Sequence, residues 1–160
     1  MTISEYNTIL RYQANAPVDI TALVTEFGLS VYEKDDLPDG VSGMICKDSL
    51  EESPGGYSIQ INANDAYTRQ RFTIAHEFAH YLLHRDKIGD GITDDALYRS
   101  DKMTTQDEFA ANNKAADLLM PRKLVMKYIS EGTSGAQELA QIFEVSVPAM
   151  QVRLRYLLYL

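Results

Sequence analysis

Arg71-Phe72-Thr73-Ile74-Ala75-His76-Glu77-Phe78-Ala79-His80-Tyr81-Leu82-Leu83-His84 is the stretch on which the reading of this chain turns. Inside it, His76-Glu77-Phe78-Ala79-His80 is an HExxH pentad, and it uses two of the three histidines in the protein. On an α-helix, side chains four residues apart lie one above the other on the same face. The two imidazoles can therefore converge on one Zn²⁺ at about 2.0–2.1 Å. Glu77 projects roughly 100° further round the helix. That is too far for it to chelate with both histidines, yet near enough to reach a water held by the metal. A purely structural role would require buried partners for all three polar side chains, because an unpaired buried charge is expensive. The pattern points to metal-activated hydrolysis.

A catalytic zinc takes three protein ligands and keeps a fourth position open. His84 continues the series 76, 80, 84, but on a continuous helix it stands about 12 Å along the axis from His76. Chains that use a later histidine turn at a glycine first, and here Tyr81, Leu82 and Leu83 intervene. His84 is therefore read as a helix C-terminal residue favoured by the macrodipole. The candidate for third ligand is Glu108, with Asn112 four residues on and sharing its face, placed to hydrogen-bond a ligand histidine from outside. Two alternatives stay open on the residues alone. Thr105-Gln106-Asp107-Glu108 has the form of a capping box, in which Glu108 would only bond the helix start, and Asp107 competes as ligand.

The rest of the chain fits around this helix. A length of 160 residues suits one compact domain with a real core. The single cysteine, Cys46, excludes an intramolecular disulfide and fits a reducing compartment. It sits in the apolar run Val41 to Cys46 and reads as a buried strand residue. The opening MTISEYNTIL carries neither a basic nor an apolar signal region, and no run is long enough to span a membrane, so a cytoplasmic location is expected. A net charge of −8 makes nucleic acid a poor default partner.

Turn signals and periodicity predict helices over 4–13, with Ser4 as N-cap, and from Asp19 through Phe27, with Gly28 just beyond. Short strands are predicted over 29–32, 41–46 and 57–62, with Gly43 marking a bulge or a close backbone approach. The motif helix spans about 65–84, followed by a polar connection (85–103) expected to be mobile. Further helices are expected over 105–120, 122–131 (with Pro121 at N1), 136–143 and 148–160. Strands clustered before the motif and helices after it indicate an α+β fold with a small, mainly antiparallel sheet.

These blocks resemble a known family. Residues 71–84 are similar to the RFTLAHELGHYLLH segment of the ImmA/IrrE metallopeptidases. Glu108 to Pro121 (EFAANNKAADLLMP) resembles that family's E-x-E-A-N-x-F-A-A-x-L-L-M-P, and Glu138 to Ser146, followed by Arg153-Leu154, resembles its ELAxxFxVS and RL. Ala110 replaces a frequent second glutamate, which leaves Glu108 as the block's only one, and Lys114 replaces a frequent phenylalanine. The resemblance implies a zincin-like fold over residues 1–160, zinc bound by His76, His80 and Glu108, and Glu77 as the catalytic base. It also implies a protein substrate of the helix-turn-helix repressor class, from a mobile element, prophage or stress regulon. A zinc endopeptidase is thus the leading expectation. A metal-binding toxin or regulatory partner of a repressor-like antitoxin is the alternative. A third reading, a DNA-binding module over 136–160, meets an apolar stripe (Val147, Met150, Leu154, Leu157, Leu158) and only two cations, Arg153 and Arg155, so packing on the core is preferred.

Overall fold

A computed structural model describes residues 1–48, 52–89 and 103–158. The chain runs α1 (Ile3–Tyr12), α2 (Ile20–Glu26), β1 (Ser30–Lys34), β2 (Gly43–Lys47), β3 (Tyr57–Asn62), α3 (Tyr67–Leu83), a 3₁₀ turn (Arg85–Lys87), α4 (Thr105–Leu119), α5 (Arg122–Ser130), α6 (Ala136–Phe143) and α7 (Val147–Leu158). Most of the connection predicted to be mobile, residues 90–102, lies outside the described residues, as do 159–160, to which the last helix was predicted to extend. No helix among the described residues is long and apolar enough to cross a membrane.

Local chemistry accounts for most of these boundaries. Thr2, not Ser4, caps α1, because only Thr2 has a glutamate three residues on: its hydroxyl accepts the Glu5 N–H while the Glu5 carboxylate accepts the Thr2 N–H. Asp19 caps α2 by accepting the Ala22 N–H. Gly28 follows at φ +87°, and a Cβ there would stand 2.7 Å from the Gly55 nitrogen, which donates to the Gly28 carbonyl. Pro121 is the N-cap of α5, one place earlier than expected.

The sheet corrects one expectation. Its order is β1-β3-β2, and it is mixed, not mainly antiparallel. β2 runs antiparallel to β3, with Ile45 opposite Ile59, whereas β1 runs parallel to β3, with Val31 opposite Ile59. A parallel partner needs a long crossover, and the chain between β1 and β3, which carries β2 on its way, provides it. β3 is therefore central and β2 an edge.

α3 is the hub. Ile74, Ala75, Phe78 and Tyr81 join Ile45, Ile59 and Ile61 of the sheet, Leu23 and Val24 of α2, and Leu118 and Leu119 of α4 in one core. Phe27 meets the Phe78 ring edge-on at 4.9 Å. Ala79 of α3 and Ala111 and Ala115 of α4 are fully buried, and side chains this small let two helices lie close. The C-terminal helices pack on this core through Leu139, Phe143, Met150, Leu154 and Leu157. Arg153, one of the two cations of the 136–160 segment, is buried, donating to the Met120 carbonyl at 3.0 Å and pairing with Asp117 at 2.8 Å. Arg71 does the same for α6, donating to the carbonyls of Phe143 and Glu144. Each arginine satisfies carbonyls that a helix end leaves unbonded.

Candidate metal centre

His76, Glu77 and His80 all lie within α3, and Glu108 and Asn112 lie within the first two turns of α4. The i, i+4 spacing stacks the two imidazoles, with ring centroids 4.7 Å apart. Their Nε2 atoms are 3.2 Å apart, and each faces one oxygen of Glu108, at 3.0 Å from His76 and 3.4 Å from His80. Among the described residues, these three form the group of side chains able to hold a metal ion.

The separations test that fit. Ligand atoms at about 2.0–2.1 Å from a tetrahedral ion stand about 3.3 Å from one another. The two imidazole nitrogens, 3.2 Å apart, stand close to that edge length, and the Glu108 carboxylate offers one oxygen to each, Oε2 at 3.0 Å from His76 and Oε1 at 3.4 Å from His80. The hydrogen bonds agree. His76 Nδ1 is 2.9 Å from Asn112 Oδ1, so its proton sits on Nδ1 and its Nε2 lone pair is turned to the cluster. A cation seated among that lone pair, His80 Nε2 and the Glu108 carboxylate would complete the arrangement.

Burial tunes the same atoms. His80 is fully buried, and that burial, with His76 beside it, pushes its pKa down to about 4 against the pull of Glu108. His80 is therefore neutral, the form a metal requires, across the physiological range. Cys46 is buried on β2, and burial pushes its thiol up, so it has neither the position nor the ionisation of a ligand.

The capping question resolves by one residue. The box at the start of α4 is Thr104 with Asp107: the Thr104 hydroxyl accepts the Asp107 N–H at 3.1 Å, and the Asp107 carboxylate accepts the Thr104 N–H at 2.9 Å. Asp107 also meets Lys87 Nζ at 2.5 Å, and these partners, the Lys87 contact foremost, hold its carboxyl well below the usual carboxylate range. Glu108, one position on, is left to face the histidines. His84 ends α3 as expected, but its ring is also 3.0 Å from that of His80, which the sequence reading did not anticipate.

A cleft of about 450 Å³ opens beside the cluster, lined by Gly43 and Met44 of β2, Phe72, Thr73, His76 and Glu77 of α3, and Asn112 of α4. Gly43 makes this closeness possible. A Cβ there would stand 2.4 Å from Thr73 Cγ2 and 2.6 Å from the Gln60 carbonyl.

The sequence model of the IrrE N-terminal-like domain, peptidase M78, matches residues 9–155. A search of curated proteins returns no match. Among solved structures, a Mycobacterium tuberculosis transcriptional regulator is similar in fold, with a TM-score of 0.61 at 16% identity. That alignment covers 97% of this chain and 47% of the regulator, so the chain spans about half the length of the structure it matches.

Proposed function

The chain belongs to the peptidase M78 (ImmA/IrrE) family of metallopeptidases, and from that premise we propose that it is a zinc-dependent endopeptidase in which His76, His80 and Glu108 hold the metal and Glu77 is the general base. The observation that carries the reading is the convergence of ligand atoms of His76, His80 and Glu108 beside a cleft that His76 and Glu77 line. When bound, zinc lowers the pKa of a coordinated water and polarises a carbonyl. Glu77 then takes the proton of the attacking water and hands it to the leaving amine nitrogen. Asn112 holds the His76 ring so that Nε2 faces inward.

The substrate lies along β2 in this reading. β3 is paired on both sides, while β2 has β3 on one side only. Its ladder pairs Met44 and Cys46 with β3, so Gly43 and Ile45 turn their backbone groups outward, where an extended peptide can add a strand. The substrate class we infer is a helix-turn-helix repressor, carried by the family resemblance. A transcriptional regulator with this fold is compatible with that setting.

The test has two parts. Elemental analysis is expected to find one zinc per chain in the wild type and a large loss in Glu108→Ala. Incubation with a repressor encoded beside the gene is expected to give specific cleavage, abolished in Glu77→Gln with zinc still bound. Full zinc retention by Glu108→Ala would remove that ligand. An intact repressor under all conditions would favour a non-proteolytic partner of a repressor-like antitoxin.

A further inference from the structure

Two polar side chains at the rim of the cluster have no part in the chemistry above. His84 closes α3 and Asp107 opens α4. His84 Nδ1 lies 3.0 Å from His80 Nδ1, and His84 Nε2 lies 3.3 Å from Asp107 Oδ1. The other Asp107 oxygen is held by Lys87 Nζ at 2.5 Å and by the Thr104 N–H at 2.9 Å. The His84 and Asp107 side chains are only 11% and 14% exposed, so water offers them little alternative.

The direction of each hydrogen bond follows from the first. A histidine that gives Nε2 to a metal carries its proton on Nδ1. His80 Nδ1 must then donate, and the atom it faces, His84 Nδ1, must accept. An accepting nitrogen has no proton, so the ring proton of neutral His84 sits on Nε2, which faces the Asp107 carboxylate. The reverse tautomer of His84 would set two N–H groups against each other at 3.0 Å and turn a lone pair toward a carboxylate.

Resting on the metal-binding reading, we propose that His84 and Asp107 are positioning residues: a histidine–carboxylate relay that fixes the tautomer and ring orientation of His80 and tightens its hold on the metal. His76 receives the equivalent support from Asn112 in one step, whereas His80 receives it through two residues. The first turn of α4 thereby supplies both a ligand, Glu108, and the anchor of the relay, Asp107. One helix approach sets both.

Chelator competition for zinc, with wild type, His84→Phe and His84→Asn, tests the relay, with melting of each metal-free protein recorded alongside. Asparagine places Oδ1 near the position of the histidine Nδ1 and keeps the acceptor, while phenylalanine keeps the bulk and loses it. His84→Phe is expected to lose about 10–100-fold in zinc affinity, and His84→Asn to recover most of that. Long-range ¹⁵N–¹H spectra of the wild-type zinc form are expected to place the proton on His84 Nε2 and on His80 Nδ1, and they decide the matter even if His84→Phe fails to fold. His84→Phe within about threefold of wild type, equal losses in both variants, or a proton on His84 Nδ1 would overturn the relay. Wild type that takes up no zinc at all brings down the proposed function and the relay together. Normal wild-type uptake with an indifferent His84→Phe removes the relay alone.

Discussion

Replacing Gly43 by alanine adds one methyl group where β2 crosses α3. The new Cβ would stand 2.4 Å from Thr73 Cγ2 and 2.6 Å from the carbonyl oxygen of Gln60. Carbon atoms pack at about 3.5–4.0 Å, so the first contact is more than about 1 Å too short. Thr73 is buried on a helix, where a β-branched side chain has few rotamers to escape into. The Gln60 oxygen belongs to the backbone of the central strand and yields still less. β2 must therefore move off the helix, and overpacking of this kind costs about 1–3 kcal/mol. The upper half of that range is expected, because one of the two neighbours is backbone. Urea unfolding of wild type, Gly43→Ala, Thr73→Ala and the double variant measures it. Removing Thr73 Cγ2 relieves one overlap, so the double variant should be more stable than the sum of the singles by at least about 0.5 kcal/mol. A Gly43→Ala loss below about 0.5 kcal/mol, or strict additivity, would refute the claim that contact between strand and helix demands glycine here.

Two further perturbations address the burial of charged groups. Arg153→Met should cost about 1–3 kcal/mol in the same assay, because it strips the buried Met120 carbonyl of its donor, while Arg155→Met, at an exposed position, should be near neutral. Equal effects would show that Arg153 contributes only as a surface cation. In metal-free protein, His80 sits near 4 folded against about 6.5 unfolded, so the unfolded chain binds the proton first. Stability that is full above about pH 6.5 is then lost as the pH falls toward 4, by up to roughly 3 kcal/mol. His80→Gln should flatten that part of the profile, and indistinguishable slopes between pH 6.5 and 4 in the two proteins would rule out His80 as the cause.

What the sequence determined by itself is what depends on near neighbours. The four-residue spacing of His76 and His80 stacks their rings on any α-helix, and the strand at Tyr57–Asn62 and the helix at Ala136–Phe143 appear with the expected limits. Asp19 begins α2 by accepting the Ala22 N–H three residues on, and the Gly28 N–H closes it on the Thr25 carbonyl three residues back. Where two local solutions compete, the same information cannot choose. Thr104 with Asp107 and Thr105 with Glu108 both have the form of a cap, and a shift of one residue turns the helix face by about 100°. Packing of α4 against α3 selects the first register. That frees Glu108 for the histidines and sends Asp107 toward Lys87 and His84. Strand order was beyond reach for the same reason: the parallel partnership of β1 with β3 joins segments more than 20 residues apart, and it puts β3 at the centre with β2 at an edge. Side-chain types and their spacing encode which groups can do chemistry. Which of them meet is decided by contacts between distant segments, whose energies exist only once the core has closed around α3.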